Sequence, residues 1–253
     1  MQIQLLRHAT LVVTLNQQRI LVDPMLSAKH AMEPVGNAAV VERIPMTELP
    51  INDEEVTDLI GQLSGVLVTH LHRDHWDARA AELLPKTLPI LCPPECVEKI
   101  RQAGFEQVQA IESSVEWLGL ALHRTDGQHG TGDIGKLMGK VSGLVIEAEG
   151  EPKLYLAGDT IWCAEVEAAL SEHQPQIIVL NAGAAQFLTG DPITMTAEDV
   201  QRVCAKAPDV PVIAVHMDSI NHCLLKREML LAFVMQHGLA QVRVPHDGQM
   251  LVF

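Results

Sequence analysis

Aromatic side chains are scarce in this chain: three Trp, one Tyr and four Phe among 253 residues. Apolar residues still make up 47%, so aliphatic side chains must fill the core. Basic residues are few as well. Eighteen Lys and Arg stand against 32 Asp and Glu, a formal charge of −14. Such a surface is ill-suited to displacing the counterions of a nucleic acid or to binding an anionic membrane, so no nucleic-acid partner is expected. No apolar run reaches the roughly 18 residues of a membrane span, and Met1 to Arg7 follows a strand pattern rather than that of a secretory signal. The cysteines, Cys92, Cys96, Cys163, Cys204 and Cys223, are odd in number and scattered, which points to reduced thiols in a cytoplasmic protein. Cys92-Pro93-Pro94-Glu95-Cys96 lacks the second half of a zinc knot. With no repeat or linker, one domain over residues 1–253 is the simplest organisation.

What the chain does have is Thr69-His70-Leu71-His72-Arg73-Asp74-His75, directly after the apolar run Gly65-Val66-Leu67-Val68. A short apolar run that ends in a ligand cluster reads as a buried strand delivering metal ligands from its C-terminal loop. His70 and His72, two apart on an extended loop, can converge on one cation. Asp74 and His75, past the bend, can reach a second beside it.

Three β-runs, Ile3 to Arg7, Thr10 to Leu15 and Arg19 to Val22, suggest an antiparallel meander. Residues Ser27 to Pro50 have no clear period and read as a long loop of the kind that shapes a functional rim. Further on, helices are predicted over Asp53–Leu63, Asp77–Leu84, Pro93–Ala103, Trp162–Ser171, Thr196–Ala205 (capped by Thr196, with Asp199 three on) and Leu224–Met235 (stopped by Gly238). Strands are predicted at Pro89–Leu91, Val108–Ile111, along Val115–Arg124, and at Ser142–Glu147, Lys153–Ala157, Gln176–Leu180, Val212–Val215, Val242–Val244 and Met250–Val252. A β-rich first half and an alternating second half fit an α/β protein built as a four-layer α/β/β/α sandwich.

Further ligand types follow strand ends: His129 in Asp126-Gly127-Gln128-His129-Gly130, Asp159 in Gly158-Asp159-Thr160, and His216 after Val212 to Val215. Each has a plainer reading: a surface loop histidine, a helix cap, a packed core histidine. His123 rivals His129 but falls inside a strand pattern rather than at its end. Joint occurrence in this order favours the metal reading.

The His-x-His-x-Asp-His run at 70–75 resembles the signature of the metallo-β-lactamase superfamily. Arg7-His8-Ala9-Thr10, Leu21-Val22-Asp23-Pro24, Asp74-His75-Trp76-Asp77, Ala157-Gly158-Asp159-Thr160 and Thr194-Met195-Thr196 look like the branch that includes ascorbate-6-phosphate lactonase and N-acyl-phosphatidylethanolamine phospholipase D. The resemblance implies the metallo-β-lactamase fold, with His70, His72 and His129 on one metal, Asp74, His75 and His216 on the other, and Asp159 bridging. Two things depart from the pattern. Arg7 stands where the family usually has glycine, and the only tyrosine, Tyr155, falls within a strand, so an active-site tyrosine is not expected.

Two divalent cations about 3.5–4 Å apart can share a water and lower its pKa toward ~7, giving a metal-bridging hydroxide. Zinc suits the His-rich set, with manganese or iron as alternatives. The expected function is a binuclear metal-dependent hydrolase acting on a small ester, lactone or phosphodiester. The alternatives are a mononuclear iron dioxygenase of the persulfide type and a non-catalytic metal-stabilised binding protein. Asp74 is a candidate proton acceptor, and His222 a candidate hydrogen-bond or proton donor to substrate. Asp23, Asp77 and Asp218 are candidates for fixing ligand rings, and His8 lies in a turn that by resemblance approaches the site. Trp76 and Trp162 could wall the pocket or simply pack. Lys29, Arg43, Lys136 and Lys140 could meet an anion or merely solvate the surface. The partner is a small molecule, and the oligomeric state stays open, a homo-oligomer included.

Overall fold

Apolar residues on successive positions of the first strands divide between two faces, and that division builds the layers. In the computed structural model, which describes residues 1–253, β1 (Gln2–Arg7), β2 (Thr10–Leu15) and β3 (Gln18–Val22) form the expected antiparallel meander. The chain then adds β4 (Gly65–Leu67), β5 (Ile90–Cys92) and β6 (Val108–Ala110) in parallel along the far edge of β3. A second sheet begins antiparallel with β7 (Ser114–Trp117), β8 (Leu120–Asp126), β9 (Ser142–Glu147) and β10 (Leu154–Leu156). It continues in parallel through β11 (Ile177–Asn181), β12 (Val212–Val215) and β13 (Val242–Arg243). The last strand, β14 (Met250–Val252), returns to pair with β1.

The sheets meet through one set of alternating residues. Val13, Ile20, Val22 and Leu67 of the first pack against Leu122, Leu144, Leu156, Val179 and Ile213 of the second. The opposite set on the first sheet, with Leu21, Val66 and Ile90, is covered by α1 (Asp53–Gly61), α2 (Ala78–Leu83) and α3 (Pro94–Gln102). On the second sheet Tyr155, Ile178 and Leu180 lie under α5 (Ala164–His173), α6 (Ala197–Lys206) and α7 (Arg227–His237). The result is the α/β/β/α sandwich. Tyr155 is fully buried in the helix-side core.

Local chemistry sets the ends of the helices. Asn52 and Thr196 each form a capping box, with Glu55 and Asp199, and Gly238 stops α7 at φ 64°. Two features differ from expectation. The strand predicted along Val115–Arg124 is a hairpin, folded at Leu118 (φ 55°) and Gly119 (φ 75°) into β7 and β8. Two successive positive φ values give the mirror-image turn that matches strand twist, and Leu-Gly lacks the Asn-Gly signature that would have revealed it. A short α4 (Gly132–Met138) also forms in a glycine-rich stretch with no apolar period.

The long loop up to Pro50 contains no helix or strand, only a bridge between Met32 and Ile44. Arg7 holds it. Its fully buried guanidinium donates to the carbonyls of Met25 at 2.9 Å, Ser27 at 2.8 Å and Thr47 at 3.1 Å. Burial pulls the Arg7 pKa down to about 10, against the fields of Asp77, Asp247 and Glu48.

Candidate metal centre

Strands of both sheets end at one edge of the sandwich, and the loops that follow carry His8, His70 to His75, His129, Asp159 and His216. Left-handed backbone turns His8 (φ 59°) and His216 (φ 71°) inward, and the His216 N–H donates to the His8 carbonyl at 2.9 Å. All seven predicted ligands come together. His70 Nε2 lies 2.9 Å from His72 Nδ1, and these two rings form one set with His129. His75 Nε2 lies 3.2 Å from His216 Nε2 and 3.6 Å from Asp74 Oδ2. Asp159 stands between the sets. Its Oδ2 is 3.8 Å from His70, 3.6 Å from His129 and 3.2 Å from His75, and its Oδ1 is 3.2 Å from His216.

Those spacings test whether a cation fits. Four donors about 2.1 Å from a tetrahedral ion stand roughly 3.4 Å apart, and the observed separations scatter around that value. The donor set, neutral imidazole with two carboxylates, is also one that divalent zinc, manganese or iron accepts.

The outer contacts fix the rings. His75 Nδ1 donates to Asp23 Oδ2 at 2.9 Å. His70 Nδ1 faces Thr69 Oγ1 at 3.0 Å, and that hydroxyl donates on to Asp23 at 2.7 Å. His129 Nδ1 donates to the Ile193 carbonyl at 2.8 Å. Each contact leaves Nε2 free as a ligand atom. Asn181 Nδ2 orients Asp159 by donating to Oδ1 at 2.7 Å.

The electrostatics follow from crowding. Burial alone would push Asp74 and Asp159 up, but the surrounding imidazoles outweigh it and hold both well below the usual carboxylate range. Burial likewise opposes charge on His75 and His216, and the carboxylates, Asp159 foremost, prevail and raise both. His70 and His129 are lowered, chiefly by burial. His8 is pushed to about 3 and His222 to about 4, both mainly by burial.

A cleft of about 220 Å³ opens over the cluster, lined by His72, Asp74, His129, Asp159 and His222. Val35, Met138, Phe187 and Ile193 give it an apolar wall, and the exposed Arg73 lines it too. His222 lines the cleft. Its ring packs against Phe187, with centroids 5.6 Å apart, and its Nδ1 has no partner.

Other candidates lie elsewhere. Asp77 caps α2 through the Ala80 N–H and accepts from Ser27 N–H, and Asp218 pairs with Arg227, so only Asp23 of the three acids orients ligand rings. Trp76 packs on Phe105 and Trp162 on the helix-side core, so neither walls the cleft. His123 pairs with Glu147 along the strands. Arg43 is engaged by Glu33 and Lys136 by Asp133, and Lys29 and Lys140 are exposed. The sequence reading missed Thr69, Asn181, Arg73 and the apolar wall. Thr69 and Arg73 stood inside the motif and could have been noticed; the others show no period or spacing.

A two-sheet sandwich with a His/Asp cluster at its strand ends defines a metallohydrolase scaffold. Residues 18–217 match the family model described as a beta-lactamase superfamily domain, and the chain belongs to that superfamily. It is 35% identical to UPF0173 protein YddR of Bacillus subtilis over the whole of both chains. Its structure is similar to that of a possible metal-dependent hydrolase from Veillonella parvula, with a TM-score of 0.95, 35% identity, and 100% and 99% of the two chains covered. A similar match is the isothiocyanate hydrolase from Delia radicum gut bacteria, at a TM-score of 0.94, 36% identity and the same coverage. The chain is accordingly a metal-dependent hydrolase. No helix is long and apolar enough to cross a membrane.

Proposed function

We propose that this chain, one hydrolase unit over residues 1–253, is a binuclear enzyme acting on small neutral electrophiles, isothiocyanates first among them. The observation that carries the reading is the donor geometry: two sets of ligand atoms at single-cation spacing, with the Asp159 carboxylate between them. His70, His72 and His129 would hold one ion and Asp74, His75 and His216 the other, zinc most naturally, with manganese or iron as alternatives. Such a pair lowers the pKa of a shared water from 15.7 toward ~7.

The cleft supports the substrate class. At about 220 Å³ it is smaller than the ~300 Å³ lower bound of common ligand pockets, and its apolar wall suits an uncharged side arm. The full-length likeness to an isothiocyanate hydrolase supports the particular bond. In that reaction R–N=C=S and water give R–NH₂ and COS. A C–O bond forms at the central carbon, the C–N bond breaks, and both water protons end on nitrogen. Asp74, which lines the cleft, is placed to accept a proton from water. His222, held neutral near pH 7 by its lowered pKa, can donate an N–H to the charge that develops on substrate. Esters and lactones offer a comparable carbon. Five unpaired cysteines support a reducing, cytoplasmic setting.

The test is elemental analysis of protein purified without chelator, coupled to a panel of isothiocyanates, lactones, thioesters and phosphodiesters. About two metal equivalents and chelator-sensitive release of amine from an isothiocyanate are expected, with activity returning on metal addition. Turnover that persists after complete metal removal would end the binuclear reading. Turnover of lactones without isothiocyanates would replace the substrate and leave the centre intact.

A further inference from the structure

His8 belongs to neither ligand set as the family resemblance implies them, yet it is buried in the cluster. Its Nε2 lies 3.1 Å from Asp74 Oδ2, and the ligand atoms of His8, Asp74, His75 and His216 all fall within 4.8 Å of one another. Its ring leans on that of His216, with centroids 3.6 Å apart. The ring has no exposed surface, and Nδ1 has no partner, so Nε2 is the only atom through which it interacts as a polar group. A buried imidazole with one idle nitrogen is a poor choice for packing alone. Its backbone is in the left-handed region, sparsely populated for a residue other than glycine, and is tied there by the bond from His216 N–H.

A second asymmetry concerns access. His72, His129 and Asp159 line the cleft, as does Asp74. His8, His75 and His216 line none of it, and their exposure is 0%, 0% and 1%. Of the seat of His70, His72 and His129, two imidazoles look onto substrate space, whereas of the other seat only Asp74 does; His70 itself lines none of the cleft.

We propose that His8 is an additional ligand of the cation held by Asp74, His75 and His216, and that it closes this seat while the seat of His70, His72 and His129 stays open to the cleft. The proposal rests on the two-cation reading above. With Asp159 shared, the enclosed seat has five protein side chains around it and the other has four. A seat with five protein side chains around it has less room for a further ligand than one with four. Substrate therefore approaches from the side of the open seat, while the enclosed cation, covered by His8 on the side away from the cleft, still shares the water between them.

The test uses cobalt as a visible probe. Metal-free wild type, His8→Ala, His8→Gln and His72→Ala are titrated with Co²⁺, with visible absorption and elemental analysis, and a chelator then withdraws the metal. Wild type is expected to take two equivalents and to release them in two well-separated phases. Both His8 variants are expected to lose the slow phase, to bind that equivalent more than about 100-fold more weakly, beyond the roughly 10–100-fold cost of losing a hydrogen-bonding partner of a ligand, and to show an altered absorption spectrum. His72→Ala is expected to lose the fast phase instead. His8→Gln keeps an amide N–H that can donate to Asp74, so wild-type affinity and spectrum in this variant would make His8 a hydrogen-bond donor only and overturn the proposal. Single-phase withdrawal from wild type would overturn the enclosed seat without any variant, which covers a failure of His8→Ala to fold. One equivalent in wild type would remove the two-cation reading as well; two equivalents with an inert His8 would remove this proposal alone.

Discussion

Asp23 shows how much one carboxylate can organise. Its backbone is left-handed at φ 44°, its Oδ1 accepts the Thr69 N–H, and its Oδ2 accepts both the Thr69 hydroxyl and the His75 ring N–H. Two ligand rings thereby take their orientation from one acid at the end of β3. Asp74 differs in kind, since it contacts three imidazoles and also faces the cleft. Asp74→Asn is expected to lower turnover by about 100-fold or more while shifting Tm by only about 2–4 °C, the effect of about 1 kcal/mol in a chain of this size. Kinetics beside a calorimetric scan check this, and proportionate losses in both would make Asp74 a structural residue. At this scale the ligand types were legible because histidine and aspartate at strand ends are conspicuous. Asp23 could be suspected from its position, but its preference over Asp77 and Asp218 depends on where a side chain points after folding.

The long loop before α1 owes its shape to anchors outside itself. Arg7 grips three of its carbonyls from β1, and Asn221 bonds the Val35 N–H and the carbonyls of Val35 and Val40 from the opposite side. This loop brings Val35 to the cleft wall, so Arg7 acts on the substrate space from a distance. Arg7→Met would leave three carbonyls without donors and is expected to cost roughly 3 kcal/mol, lowering Tm by about 6–12 °C. Because the wall loosens while the ligands stay in place, KM is expected to rise more than kcat falls. A fall in kcat alone would show that the anchor serves the metal ligands instead. Most elements followed from apolar periodicity and capping residues, as at Thr196–Asp199 and Gly238. The hairpin at Leu118–Gly119 and the helix at Gly132–Met138 did not, because a Leu-Gly turn and a glycine-rich helix carry weak local preferences that tertiary contacts override.

Taken together, the ligands come from loops of both sheets, so one ion pair would tie the halves of the sandwich across their common edge. Metal at a thousandfold excess over Kd is expected to add about 4 kcal/mol, raising Tm by about 8–16 °C relative to the chelated protein. A Tm indifferent to metal would mean that the ligand loops are held by protein contacts alone. The chain's amino-acid order already carried the layered α/β/β/α arrangement and singled out the seven His and Asp side chains that meet at the cluster, because period-two burial and strand-end histidines are local patterns that survive without a partner. The apolar wall of Val35, Met138, Phe187 and Ile193, the loop pinned by Arg7 and Asn221 and the inward placement of His8 emerged with folding. Their contacts reach across the chain, in the bond between Val35 and Asn221 by 186 positions, and no short-range pattern encodes a contact made across such a distance.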